Sequence, residues 1–301
     1  MKKHLSWTPL LCLLCLFARV SLATGNEDLR QAISKIAADL HGTLGVATEL
    51  IETGDTLTLN GSYHSPMQST YKFPLALHIL HAVDEGRLSL DSVLKLGPKD
   101  LDNETWSPIV DEHPKRRVSL TVRDLLRYMV SGSDNNACDI LFKIGGGVSA
   151  CNKYIHSLGV NEIRIARTER QMHADWNAQF KNWCEPRAML ALLKLLYHGS
   201  VLSKASNDLL LKFMTKSSNS PKRLKGLLPA DAVVAHKTGS SDYSKQHKIS
   251  AATNDIGIIT LPNGKHIAIV VFVSMAEGDY DTLETIIARV GKAAWDHYSQ
   301  Q

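Results

Sequence analysis

Cysteine is the first shortage. The 301 residues hold five, and Cys12 and Cys15 lie in an apolar stretch at the start, which leaves Cys138, Cys151 and Cys184. Three thiols are too few for a disulfide scaffold; one bridge is possible in an oxidising compartment, and an odd count leaves at least one thiol free. Beyond the leader there is no Cys-x-x-Cys and no paired Cys/His spacing, so a cysteine nucleophile and a zinc cluster both drop out. The thirteen histidines are scattered. His78 and His81 stand three apart, a spacing a metal could use, but they read as ordinary helix-face residues. No metal or other cofactor is expected.

Long apolar runs are missing too. Lys2 and Lys3, the apolar stretch 10–17 and the small residues Ser21-Leu22-Ala23 have the make-up of a secretory signal, expected to be cleaved after Ala23. That stretch falls well short of the ~20 residues a membrane span needs, and no later segment approaches it. Neither Cys12 nor Cys15 follows the small residue of a lipoprotein site. The expected mature protein is therefore exported, with no stable membrane association.

Charge of one sign is also absent. Without Lys2, Lys3 and Arg19, 31 basic residues face 30 acidic ones. A nucleic-acid binder would carry a basic patch or stripe, so none is expected as partner. Internal repeats and low-complexity segments are lacking as well.

What remains is a chain with 44% apolar residues, enough for one large or two closely joined domains. Segments 44–51 and 56–60 read as a hairpin around Gly54-Asp55. Segments 232–237, 249–261 and 267–274 read as strands, with Pro262-Asn263-Gly264 turning between the last two. Segments 29–40 and 282–298 have helical periodicity, as do 122–129, 137–142, 186–197 and 207–214 in the middle. The layout these predict is α/β (α+β). A five-stranded antiparallel sheet from both ends is flanked by terminal helices, and an all-helical unit is inserted. The expected boundaries are 1–23 for the leader, 24–63 with 217–301 for the sheet domain, and 64–216 for the helical domain. The crossings are placed at His64-Ser65-Pro66 and at 217–222, both loop-like in composition. A sheet edge beside a helical unit is a usual place for a small-molecule cleft.

Three short groups carry the chemistry. Ser69-Thr70-Tyr71-Lys72 opens an apolar helical run, Ser133-Asp134-Asn135 precedes another, and Lys237-Thr238-Gly239-Ser240 ends an apolar strand. Residues three apart on a helix share a face, so Lys72 can hydrogen-bond the Ser69 hydroxyl, and partial burial would tune it toward a useful base. Ser133 and Asn135 sit where a helix cap would hold them rigidly, one to pass protons and the other to grip a substrate amide. Lys237 and Thr238 suit a carboxylate, and the Ser69 and Ser240 N–H groups suit an oxyanion. Each group alone is weak; Ser92-Val93-Leu94-Lys95 is a second Ser-x-x-Lys with no such context. Together and in this order they point to acyl transfer through a serine ester.

With these motifs the mature chain resembles the class A serine β-lactamases over essentially its whole length, and is most similar to their extended-spectrum cephalosporinase branch. The resemblance implies a monomer that opens the β-lactam ring of a small-molecule substrate in the periplasm. It gives Glu169, in Arg167-Thr168-Glu169, the part of activating the hydrolytic water. Trp106 is expected to wall the cleft.

Several positions depart from the family's pattern. Arg170 replaces a proline with a cis bond before it; a non-proline cis bond costs ~2.5–4 kcal/mol, so Glu169–Arg170 is expected trans. His173 replaces an asparagine on the active-site loop. Arg167 and Asn182 cannot form the usual ionic staple. Thr253 stands in place of a frequent arginine, for which Arg223 is the expected substitute at the substrate carboxylate. The stretch 241–250 makes a long turn at the cleft edge. All five predict a loosened, wider pocket. Penicillin-binding transpeptidases and β-lactam sensor domains share the three motifs. The first would lack the glutamate loop and usually carry an anchor, and the second would be tethered to a spanning segment.

Overall fold

The computed structural model describes the backbone of residues 14–301, with side chains from Asn26 onward. The expected leader and its cleavage point lie outside the residues described in full. The chain opens with α1 (Leu14–Ala38), β1 (Thr43–Leu50), β2 (Asp55–Leu59) and β3 (Ser65–Pro66). There follow α2 (Lys72–Asp84), β4 (Val93–Leu96), α3 (Pro108–Glu112), β5 (Val118–Thr121), α4 (Val122–Ser131), α5 (Asn135–Ile144) and α6 (Gly147–Ser157). Next come β6 (Ile163–Arg164), α7 (Glu169–Met172), β7 (Trp183–Cys184), α8 (Pro186–Tyr197) and α9 (Lys204–Thr215). The chain ends with β8 (Val233–Ser240), β9 (Tyr243–Ser244), β10 (Ile249–Thr260), β11 (His266–Ala276) and α10 (Tyr280–Tyr298). No described helix is long and apolar enough to cross a membrane.

The main sheet runs β2-β1-β11-β10-β8, all antiparallel, as the alternating and β-branched runs predict. The short β9 is a further strand, paired to β10 through Ile249 and Ser250. Strand periodicity sorts β11 onto two cores. Ile267, Ile269, Val271 and Val273 face Leu29 and Ile33 of α1 and Leu283 and Ile287 of α10. Ala268, Val270 and Phe272 face the helical side, where they join a large cluster with Leu75, Leu77 and Ile79 of α2. Both faces being covered, β10 and β11 are buried almost end to end.

The middle of the chain departs from the all-helical expectation. β4 pairs with β5, and β3, β7 and β6 form a small antiparallel sheet. The two-residue strands β3, β6 and β7 are too short to leave a period in the sequence. They knit the crossing at Ser65 to both ends of the segment that carries Glu169.

Candidate active site

Ser69 lies not in α2 itself but in the 3-10 turn Gln68–Tyr71 that leads into it. In a 3-10 turn, residues i and i+3 eclipse, which aligns Lys72 on Ser69. Lys72 Nζ reaches Ser69 Oγ at 3.0 Å. Gln68 takes a left-handed backbone (φ 47°) unusual for a side-chain-bearing residue, and donates through Nε2 to Gln179 Oε1 at 2.6 Å. The turn is pressed onto the edge strand β8. A Cβ on Gly239 would lie 2.8 Å from Met67 O and Thr70 N and 2.9 Å from Ser69 N. Glycine at 239 is what lets the backbone of the Ser69 turn lie this close. Asn254 Nδ2 fixes the turn from below, donating to Pro66 O at 2.8 Å and Met67 O at 3.0 Å.

Lys72 is the hub. Its Nζ is buried and donates to Ser69 Oγ, to Ser133 O at 2.8 Å and to Asn135 Oδ1 at 2.5 Å. Three acceptors use the three N–H groups of an ammonium. Glu169 Oε1 lies a fourth contact away, at 2.9 Å, as an ion pair with no N–H aligned on it. That carboxylate is neutralised by Lys72 yet keeps a buried lone pair open for another donor.

Asp134, not Ser133, caps α5, its Oδ1 accepting from Ala137 N at 2.8 Å. Its Oδ2 accepts from Ser107 Oγ at 2.8 Å and Ile109 N at 2.9 Å. Ser133 is thereby left in the left-handed region (φ 56°), a conformation costing on the order of 1–3 kcal/mol that is kept where surroundings impose it. Its Oγ accepts from Lys237 Nζ at 2.8 Å. Burial above all, and then the Lys72 charge, push the Lys237 ammonium well below its ordinary range; an anion beside it would act in the opposite direction. Asn135 Nδ2 is steadied by Thr105 Oγ1 at 2.8 Å.

Ser241 N donates to Ala252 O, so in the β8–β10 ladder the Ser240–Thr253 pair is a non-hydrogen-bonded one, and the Ser240 N–H points out from the sheet edge. Thr238, Ser240 and Ser69 line a cleft of about 640 Å³ together with Ser133, Asn135, Glu169, His173 and Trp106. Trp106 is exposed, as a wall should be, and pinned by its Nε1 donating to Gly132 O at 2.9 Å.

Arg223 is a correction. It is buried and does not face the cleft. Its guanidinium donates to Glu284 Oε1 at 3.1 Å, Gly239 O at 3.0 Å and Asn254 O at 2.8 Å. The remaining nitrogen donates to Ser240 Oγ at 2.6 Å. The guanidinium therefore reaches the cleft only through its contact with the Ser240 hydroxyl.

The loop that carries Glu169 is held by other contacts than the ones its sequence lacks. No peptide bond among the described residues is cis, so Glu169–Arg170 is trans as expected. The loop is nevertheless tied down. Asn182 Oδ1 accepts from Ala166 N at 2.8 Å and Arg167 N at 2.9 Å, while its Nδ2 donates to Arg167 O at 2.9 Å. An amide thus staples by backbone hydrogen bonds where an ion pair cannot form. Asp139 accepts from Glu169 N at 2.7 Å and Arg170 N at 3.1 Å; burial raises its carboxyl above the usual range despite these two donors. His173 Nδ1 donates back to Glu169 O at 2.7 Å. The long turn 241–250 does not swing away either. His247 stacks on Trp176 of the glutamate loop, ring centres 4.7 Å apart at 24°.

Gln68, Gln179, Asp139, Thr105, Trp176 and His247 escaped sequence reasoning. Each works through a partner distant in the chain, and only an acid at the fifth residue of α5 hinted at Asp139.

Comparison with known proteins agrees with this geometry. The chain matches the β-lactamase enzyme family over residues 28–298. It is 41% identical to β-lactamase VEB-1 of Pseudomonas aeruginosa over 292 residues, 96% of this chain and 97% of that one. With the extended-spectrum β-lactamase PER-1 of the same organism it shares 39% identity, covering 93% of this chain and 90% of that one. The crystal structure of a β-lactamase from Chitinophaga pinensis DSM 2588 superposes with a TM-score of 0.88 at 50% identity, covering 90% of this chain and 99% of that one. A serine, two lysines and a glutamate gathered at one sheet edge, within a fold and sequence of this kind, make the chain a member of the β-lactamase enzyme family.

Proposed function

We propose that the protein hydrolyses the β-lactam ring of cephalosporins, oxyimino-cephalosporins included, and of penicillins, through an ester on Ser69. Ser69 Oγ attacks the ring carbonyl, whose oxygen is received by the Ser69 and Ser240 N–H groups. Its proton passes through water to Glu169, or to Lys72 once that ammonium has handed a proton to the Glu169 carboxylate 2.9 Å away. Ser133, held by Lys237, hands a proton to the departing ring nitrogen. Lys237, Thr238 and Ser240 receive the substrate carboxylate, Asn135 its amide, and Trp106 flanks the side chain. Glu169 then draws a proton from the water that cleaves the ester. Catalysis occurs in the periplasm, by a monomer, and contributes antibiotic resistance. The extended-spectrum relative PER-1 supports the oxyimino part of this reading.

The observation that carries it is the Lys72 hub: Ser69 Oγ at 3.0 Å and Glu169 Oε1 at 2.9 Å from one ammonium. Glu169 Oε1, the oxygen of that ion pair, has no N–H aligned on it and so keeps a lone pair for another donor. The test is intact-protein mass spectrometry with a cephalosporin. Wild type should turn over steadily, Ser69→Ala should form no adduct, and Glu169→Ala should accumulate one on Ser69. Steady turnover by Glu169→Ala, or an adduct on Ser92 or Ser133, sinks the assignment. A transpeptidase or sensor would give a burst and stall even as wild type.

A further inference from the structure

The small sheet β3-β7-β6 sets three metal-ligating side chains in a row. Ser65 and Ile163 both register on Cys184, so one residue outward His64 and Glu162 flank Glu185 from either side. Glu185 N donates to Glu162 O at 3.0 Å, which holds the row together. One imidazole nitrogen and one oxygen from each carboxylate lie within 4.8 Å of one another, the spacing of adjacent strands.

Two features go beyond proximity. The Glu185 side chain is only 6% exposed, and its Oε1 faces His64 Nε2 at 3.6 Å, too far for a hydrogen bond. Its other oxygen takes Arg187 Nε at 2.6 Å, so the cluster keeps one net negative charge with His64 neutral. The His64 ring is fixed by stacking on Trp183, centres 3.6 Å apart at 11°. A tetrahedral ion with bonds of ~2.0–2.2 Å holds its ligand atoms about 3.3–3.6 Å apart. The His64–Glu185 pair already has that separation, and the exposed Glu162 can close the rest.

We propose that His64, Glu162 and Glu185 form a binding site for a divalent cation of the zinc type, with water completing the coordination. One nitrogen and two carboxylate oxygens suit Zn²⁺ better than Ca²⁺ or Mg²⁺, which ask for six or more oxygens. Glu162 and Glu185 stand at the two ends of the segment that bears Glu169, and His64 immediately precedes the strand leading to Ser69. An ion here closes the neck of that segment. The site is independent of the proposed reaction.

Untagged protein stripped with EDTA should be titrated with ZnCl₂ by calorimetry and followed by thermal unfolding. The expected result is one site per chain and an unfolding midpoint raised by zinc. His64→Ala, at an exposed position, should weaken binding by about tenfold or more and abolish the thermal shift; Glu162→Gln should weaken it in the same direction. An anomalous peak between His64 and Glu185 in zinc-soaked crystals gives the same answer without a variant. Unchanged affinity in both variants would place the zinc on other histidines and overturn the site, as would the absence of binding to millimolar zinc.

Discussion

Replacing Asn182 with alanine removes the amide that receives two backbone N–H groups and supplies one backbone C=O at the neck of the glutamate loop. Asn182 is fully buried, while the backbone it serves is half-buried, so water can recover part of the loss. At ~0.5–1.5 kcal/mol for each of three hydrogen bonds, the variant should be about 3 kcal/mol less stable. For a domain of this size each kcal/mol moves the midpoint by about 2–4 °C, so Tm should fall by roughly 6–12 °C. Released at its base, the loop no longer presents Glu169 to Lys72, and hydrolysis of the ester should slow more than its formation. Pre-steady-state kinetics with a chromogenic cephalosporin would then show a burst absent from wild type. Asn182→Asp keeps the oxygen that accepts from both N–H groups but turns a carboxylate oxygen toward Arg167 O, so it should recover only part of the stability. If Asn182→Ala melts within 1 °C of wild type and shows no burst, the amide is not the staple.

Ser240→Ala should lower kcat/KM for a free-acid cephalosporin by about ten- to a hundredfold, the worth of a hydrogen bond to a charged group, and leave its methyl ester unaffected; equal losses for both would remove Ser240 from carboxylate recognition. Arg223→Ala strands Glu284 and should act first on folding, by about 3–5 kcal/mol, so that urea unfolding detects it before any assay of turnover; a fully stable variant would contradict the buried relay. Trp176→Ala and His247→Ala break a contact worth ~0.5–1.5 kcal/mol, and each should lower KM for an oxyimino-cephalosporin about two- to tenfold without altering that for a small penicillin; parallel changes for both substrates would show that the stack does not gate side-chain bulk. Burial alone would raise the Glu52 carboxyl, but the His266 amide and ring and the Tyr197 hydroxyl bring it from 4.5 down to about 2. Its stabilising part is therefore complete above the unfolded value and vanishes as pH falls toward 2, so Glu52→Gln should cost about 1 kcal/mol at pH 7 and nothing near pH 2, and a gap constant with pH would refute the linkage.

The main sheet was readable because its strands are long enough to show alternation and β-branched enrichment, and α8 coincides with its predicted range, 186–197. Ser69, Lys72, Ser133 and Lys237 were readable for a different reason: short motifs fix local geometry, and the structure brings them within hydrogen-bond reach of one another. What stayed hidden depends on where loops travel. Nothing local in Gln179 announces that it will meet Gln68, 111 residues earlier. Arg223 was expected at the cleft in place of the arginine missing at 253; only the arrival of α10 shows that Glu284 and two strand carbonyls claim it. The staples of the glutamate loop stayed hidden because absence of an ion pair says nothing about what an amide, or an aromatic stack, can do in its place.

The buried Arg223 makes the last helix a working wall of the cleft. Glu284 grips the guanidinium that orients the Ser240 hydroxyl, and Tyr280 OH donates to Ser241 O at 2.7 Å on the same rim. A shift of α10 against the sheet is thus transmitted to the rim through rigid, fully bonded groups with no soft side chain between. Selection for a new drug could act on this outer helix, far from the serine, and still retune the cleft.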